Sequence, residues 1–231
     1  MTPGIDRYAD GSHISARRRR KAAVLAQVIA GLCSGRGELE MVDFGCADGA
    51  IPVLLLASPV GEALRRITGI TLLDYNDLPQ KPAFAHPRFR RLVADLEGPL
   101  DDLDLPWGQC DLVTATAFLH YCAQPEVPLR HAARLLAPGG YLLCGLPAPW
   151  VLLLRRAGVP GLLAKNRRIR TINSPAAWRR LAEAHGFTEV SCHAIQWFGL
   201  AAAAPLEQWL AARRLPPCCG SNALMIYQQQ R

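Results

Sequence analysis

The sequence lacks a C-x-x-C pair, although it holds eight cysteines, at positions 33, 46, 110, 122, 144, 192, 218 and 219. Zinc ribbons and dithiol redox centres need two closely spaced thiolates, so neither is expected, and no metal site is expected. Cys110 and Cys144 lie in or beside apolar runs and read as small buried hydrophobes. Adjacent cysteines such as Cys218 and Cys219 rarely bridge each other, so the whole set reads as reduced thiols of a cytoplasmic protein. The chain also lacks an apolar run long enough to cross a bilayer. The longest, residues 141–154, contains Pro147 and Pro149 and stops at Arg155 and Arg156. Residues 1–20 have no apolar core ahead of a cleavage site, so no secretory leader is expected. Internal repeats and inter-domain linkers are missing too.

What is present suits one large domain with a full core. There are 231 residues, of which 50% are hydrophobic and 19% charged. The net charge is +7, from 26 Lys and Arg against 19 Asp and Glu. Two basic runs, residues 17–21 (Arg-Arg-Arg-Arg-Lys) and 165–170 (Lys-Asn-Arg-Arg-Ile-Arg), hold much of it. Such runs suit a phosphate-rich or membrane-surface partner, or are solvated faces with no partner.

Hydrophobic spacing predicts a helix over 14–32, then a short strand over 39–44 that stops at Gly45. A helix over 48–57 follows, with Pro52 tolerated in its first turn. Further strands are expected at 67–73, 89–93, 111–115 and 141–146, with a helix over 126–136 before the last of these. A helix over 175–185 capped by Ser174, and two closing strands at 187–195 and 222–228, complete the order. The strands are continuous apolar runs, as in a parallel sheet buried on both faces. The expected class is therefore α/β: a Rossmann-like, doubly wound, seven-stranded and mostly parallel sheet, with a C-terminal antiparallel strand and an N-terminal helical cap.

The segment Val42-Asp-Phe-Gly-Cys-Ala-Asp-Gly49 lies between a strand and a helix. Glycine there lets the backbone turn sharply and approach a ligand. The spacing is not the Gly-x-Gly-x-x-Gly of dinucleotide folds. Asp74 ends the second strand, where an α/β nucleotide site places the acid that accepts from both ribose hydroxyls.

In order along the chain stand Val-Asp-Phe-Gly-Cys-Ala-Asp-Gly (42–49), Leu-Leu-Asp-Tyr-Asn-Asp (72–77), Val-Ala-Asp-Leu-Glu-Gly (93–98), Cys-Asp-Leu-Val-Thr-Ala-Thr-Ala-Phe-Leu-His-Tyr (110–121) and Leu-Leu-Ala-Pro-Gly-Gly-Tyr-Leu-Leu (135–143). Together they resemble the class I S-adenosylmethionine-dependent methyltransferases of the ubiquinone/menaquinone-biosynthesis type. The resemblance covers about 38–146, with a weaker echo in 174–190. It implies S-adenosyl-L-methionine as cofactor. Asp43 and the loop of Gly45, Cys46, Ala47 and Gly49 would hold its methionine end, and Asp74 its ribose. Tyr75 would pack near the adenine, Asp95 and Leu96 would contact it, and Thr116 would lie near the sulfonium. One residue departs from the pattern: Ala47 replaces the middle glycine of the usual Gly-Cys-Gly.

Methyl transfer from a sulfonium is an in-line displacement, so the protein mainly positions the acceptor and excludes water. His120, after the fourth strand, is the candidate base, and Tyr121 beside it could orient the acceptor. The resemblance implies a division into an N-terminal helical lid (1–37), a cofactor core (38–146), an acceptor-pocket insertion (147–173) and a closing helix with strands (174–231). Tyr8 and His13 would belong to the lid. Trp150 and Trp197 would line the acceptor pocket, whose mixture of apolar and basic residues suits an apolar or aromatic small molecule with an acidic group, or a lipid-like one at a membrane surface. Oxygen or carbon methylation is favoured, and the oligomeric state is open. Two alternatives stand beside this: an RNA methyltransferase using the basic runs, and a non-catalytic cofactor-binding protein. Nucleic acid is disfavoured, because no Asn/Asp-Pro-Pro-Tyr/Phe motif follows the fourth strand and no RNA-binding module is appended.

Overall fold

Apolar residues that alternate between two faces dictate the architecture. In the computed structural model, which describes residues 16–58, 62–75, 86–116, 118–158, 166–196 and 222–230, seven strands form one sheet. They are β1 (Leu39–Phe44), β2 (Ile67–Asp74), β3 (Phe89–Val93), β4 (Cys110–Thr116), β5 (Leu136–Pro147), β6 (Phe187–Gln196) and β7 (Asn222–Gln229). Their order is β3-β2-β1-β4-β5-β7-β6, with β7 antiparallel to both neighbours and the other pairings parallel. The helices are α1 (Ala16–Leu32), α2 (Ala50–Leu56), α3 (Glu62–Arg65), α4 (Glu126–Leu135), α5 (Pro149–Ala157) and α6 (Pro175–Glu183), with a 3-10 turn at Leu119–Tyr121.

Neighbouring residues on the central strands enter two separate cores. Val42, Val113, Leu142 and Met225 pack on the face covered by α4 and α6, through Leu129, Ala132 and Trp178. Met41, Leu112, Leu143 and Ile226 pack on the opposite face against Leu25, Ala26 and Ile29 of α1 and Leu55 of α2. Burial on both sides is why these strands read as unbroken apolar runs. On α1 the buried residues Ala22, Leu25, Ala26 and Ile29, continued by Cys33 just past its end, follow one helical stripe. Ser174 caps α6 as expected, its Oγ accepting from the Ala177 N–H at 3.2 Å.

Three local differences have physical causes. The apolar stretch 141–154 splits at its prolines: β5 ends at Pro147, and Pro149 opens α5 in the first turn, where its missing N–H costs nothing. Strand β5 begins at Leu136, directly after α4, and absorbs the Pro-Gly-Gly turn as an irregularity with Gly139 at φ 76°. Asp111 braces that end of the sheet, accepting from Arg36 at 2.9 Å and from the Glu40 N–H at 3.0 Å. The short α3 has too few residues for a periodic signal. No helix among the described residues is long and apolar enough to cross a membrane.

Candidate functional site

The chain leaves β1 towards β2 on one side and returns through β4 on the other, so β1 and β4 are neighbours with diverging connections. A doubly wound sheet opens a crevice at the carboxyl ends of such a pair. Asp43, near the end of β1, pairs in register with Thr114 of β4, whose hydroxyl donates to Asp43 Oδ1 at 2.5 Å. The chain then turns through three residues of positive φ: Gly45 at 68°, Ala47 at 50° and Gly49 at 79°. The Gly45 N–H donates to the Leu73 carbonyl at 2.8 Å, and the Ala47 N–H donates to Asp74 Oδ2 at 2.8 Å. The acid that ends β2 is thus tied directly to the glycine loop.

Ala47 is the only non-glycine residue with positive φ among the described residues. An alanine pays a steric penalty of about 1 kcal/mol in this region, because its Cβ crowds the following carbonyl. Ala47→Gly should relieve that penalty, with part of the gain lost to the greater freedom of the unfolded chain. The expected net effect is stabilisation by about 0.5 kcal/mol and a melting temperature raised by about 1–2 °C. A thermal melt of the variant checks it.

Asp43 is 2% exposed. Burial pushes its carboxyl up to about 7; the Thr114 hydroxyl and the Lys21 ammonium pull it partly back, and Asp74 adds repulsion. Asp74 is also buried. Two buried carboxylates beside one turn, one of them held far above its ordinary range, are complementary to a ligand that brings positive charge. S-adenosylmethionine carries an ammonium and a sulfonium, and its ribose offers two hydroxyls to an acid. The residues fit it. Cys46 is buried beside them, and burial holds its thiol well above its ordinary range, so it stays protonated.

Two contacts were not legible as such. Arg18 of α1 pairs with Asp48 of the loop at 2.8 Å, and Lys21 lies within electrostatic reach of both Asp43 and His120. The basic run that reads as a solvated or phosphate-binding face therefore turns two of its members onto the loop. Its signal was phase: Arg18 precedes the buried Ala22, Leu25 and Ile29 by four, seven and eleven positions on one stripe. Phe118 is the other. Its Cβ lies 2.7 Å from where a Cβ on Gly45 would be, so it covers the turn. Only its place after β4 hints at that.

The remaining candidates are spread along the same edge. Tyr75 follows β2 and is 70% exposed. Asp95, after β3, is exposed and accepts from the Glu97 N–H at 2.9 Å. The Leu96 side chain is buried in the core with Val42 and Leu73, which leaves its backbone as the part able to meet a ligand. Thr116 ends β4. Tyr8, His13 and Trp197 lie outside the described residues.

His120 is 1% exposed in the 3-10 turn, and its carbonyl accepts from the Arg170 and Thr171 N–H groups at 3.1 and 3.2 Å. Its Nδ1 has no hydrogen-bond partner among the described residues. Burial lowers its pKa to about 3, helped by the positive charges of Arg155 and Lys21. The imidazole is therefore neutral at physiological pH, and a weak base. The Tyr121 ring lies 4.0 Å from it, centroid to centroid, and the Tyr121 hydroxyl accepts from Asn166 Nδ2 at 3.4 Å. Trp150, on α5, is 43% exposed. No cluster of His, Cys, Asp or Glu able to hold a metal ion occurs among the described residues.

Solved structures share this fold at low identity. A chain from the complex with the Haloferax volcanii Trm112 methyltransferase activator is 18% identical, with all of both chains covered and a TM-score of 0.64. An S-adenosylmethionine-dependent methyltransferase from Mesorhizobium loti is 17% identical over 87% of this chain and 96% of its own, with a TM-score of 0.59. The Burkholderia thailandensis 1,6-didemethyltoxoflavin-N1-methyltransferase, solved with its substrate and S-adenosylhomocysteine, is 16% identical over 99% of this chain and 83% of its own, with a TM-score of 0.60. No curated protein sequence matches significantly. A sequence profile described as a methyltransferase domain matches residues 14–192, well over half the chain. With that match and this loop, the chain belongs to the methyltransferase domain family and is an S-adenosylmethionine-dependent methyltransferase.

Proposed function

We propose that this chain methylates a small apolar or aromatic acceptor bearing an acidic group, at oxygen or carbon, in the manner of the ubiquinone/menaquinone-biosynthesis-like enzymes. The observation that carries the cofactor half is the buried Asp43, bonded to Thr114 and facing a loop that is tied to Asp74. S-adenosylmethionine, when bound, supplies an electrophilic methyl group on its sulfonium. Asp43 and the turn of Gly45, Cys46, Ala47 and Gly49 hold the methionine end. Asp74 holds the ribose, while Tyr75, Asp95 and the Leu96 backbone meet the adenine. Thr116 borders the reacting centre. Trp150 and the positive charge of Arg155 give the acceptor side its apolar and cationic character.

His120 has a narrower role here than general base. A neutral imidazole of low basicity orients an acceptor hydroxyl through Nδ1 better than it stores a proton. With cofactor saturating, kcat should show no inflection near pH 6.5, and His120→Ala should lower it about tenfold, the size of one lost hydrogen bond. A limb near 6.5 that disappears in His120→Ala would restore the general base.

Calorimetry with S-adenosylmethionine and S-adenosylhomocysteine, followed by transfer of labelled methyl to a panel of phenols, quinols and aromatic acids, tests the whole reading. Cofactor binding with transfer to such an acceptor is the expected result. Cofactor binding with transfer to none of them would favour the non-catalytic alternative. Absence of binding would overturn the cofactor site.

A further inference from the structure

We propose that α5 is an interfacial anchor that docks the acceptor side of this enzyme onto an anionic lipid surface. The helix has two apolar faces, and among the described residues only one is packed into the core. Val151 and Leu152 are 7% and 1% exposed. Trp150, Leu153 and Leu154 are 43%, 57% and 41% exposed, and with the exposed Ala157 they occupy positions i, i+3, i+4 and i+7 of one stripe. Seven large apolar side chains are exposed among the described residues, and three of them fall in these five positions. Such clustering, unlike single exposed apolar residues, marks an interaction surface.

Charge selects the occupant. Between Glu126 and Glu183 the sequence contains no Asp or Glu and ten Lys or Arg. Arg155 and Arg156 close α5. The following described segment, with Arg167, Arg168 and Arg170 exposed, is fastened to α5 by the Asn166 N–H donating to the Arg155 carbonyl at 2.7 Å. A stripe of Trp and Leu bordered by arginines is how a helix lying in a headgroup region is built: the apolar face enters the acyl boundary and the guanidinium groups meet lipid phosphates. Each cation near an anionic surface strengthens partition about fivefold. A nucleic acid would leave the apolar stripe unsatisfied. A second copy of the chain would set two arginine clusters against each other.

The patch adjoins the acceptor side. Asn166 donates to Tyr121, and Arg170 and Thr171 donate to the His120 carbonyl, so the turn and the basic segment are one unit. That the docked lipid surface delivers the acceptor rests on the function proposed above; docking itself does not.

The test is cosedimentation of the full chain with vesicles of phosphatidylcholine alone, and of phosphatidylcholine with one-third phosphatidylglycerol. Binding to the anionic vesicles, weak binding to the neutral ones, and a loss of tenfold or more in 0.5 M salt are expected. The double variant Leu153→Ser with Leu154→Ser should lose at least tenfold in vesicle affinity while keeping its melting temperature and its S-adenosylhomocysteine affinity. That last readout separates failure of docking from failure of the cofactor site. No binding to anionic vesicles overturns the proposal, as does undiminished binding by the double variant. A lowered melting temperature in that variant would mean the stripe is covered by the chain itself. A dimer that the variant dissociates, seen by light scattering, would mean a second copy covers it. Either result also overturns docking to lipid.

Discussion

Asp43→Asn is expected to raise the melting temperature of the ligand-free protein at pH 8 by roughly 5–10 °C, while weakening cofactor binding a hundredfold or more. Burial raises the Asp43 carboxyl from an ordinary 3.8 to about 7. A raised carboxyl means that the folded chain holds a proton the unfolded chain has released, throughout the window between those two values. The Asp43 contribution to stability is therefore greatest below pH 3.8, declines as pH rises through that window, and is flat above 7. Across that window the raised value corresponds to an upper bound on the order of 4 kcal/mol carried as a cost at pH 8. Asparagine keeps the shape and can still accept from the Thr114 hydroxyl, but it carries no charge. The stability gain at pH 5, inside that window, should be roughly 40% of the full gain at pH 8.

Binding should move the other way. An ammonium or sulfonium brought beside a neutral amide loses its counter-charge in a buried setting, which costs about 3–5 kcal/mol. The same logic applies to the unmodified protein. Its affinity for S-adenosylmethionine should be level above pH 7 and fall up to tenfold per pH unit below it, as Asp43 takes up a proton. Melts at pH 5 and 8, with calorimetric titration at both, read all of this. An Asp43→Asn protein that melts lower at pH 8, or binds the cofactor undiminished, would sink the idea that Asp43 is a strained carboxylate kept for its charge.

Gly45→Ala should be the most damaging glycine-to-alanine change among the described residues. At φ 68° any side chain is strained, and the added Cβ would lie 2.7 Å from Phe118 Cβ and 2.8 Å from two of its ring carbons. Phe118 Cβ is next to the backbone and cannot swing aside as a side-chain tip can. The left-handed backbone costs about 1 kcal/mol and the overlap about 1–3 more, for a loss of roughly 2–4 kcal/mol and 5–15 °C. Displacing Phe118 also disturbs the turn that carries His120, so methyl transfer should fall further than stability does. Phe118→Gly, which removes both the Cβ and the ring, should when added to Gly45→Ala restore part of the loss, giving a double variant more stable than the sum of the two changes by about 1 kcal/mol or more. Strict additivity would show that the overlap with Phe118 is not the cause.

Much of this protein was legible along the chain because its causes are local. A strand buried on both faces carries apolar residues at consecutive rather than alternate positions, so Leu39–Phe44, Ile67–Asp74 and Cys110–Thr116 declared both themselves and the parallel sheet. A turn that needs positive φ must hold glycine or tolerate strain, so the loop at Gly45 and Gly49 was visible, and so was Ala47 as its one departure. The acids Asp43, Asp74 and Asp95 could be placed because each stands at or just past the carboxyl end of a strand.

Only the tertiary structure decided what those residues meet, because electrostatics and contact depend on distance in space. Arg18 and Asp48 are thirty positions apart in sequence, and their pairing depends on how α1 packs on its face of the sheet. Thr114 reaches Asp43 across seventy-one positions through the register of β1 and β4, and burial there raises that carboxyl's pKa to about 7. His120 reads in sequence as a histidine that could titrate; its surroundings in the fold, with burial and two nearby cations, leave it neutral. The apolar residues of α5 all look alike in sequence. Packing alone sends Val151 and Leu152 inward and leaves Leu153 and Leu154 facing out, since one face of a nine-residue helix cannot bury both pairs.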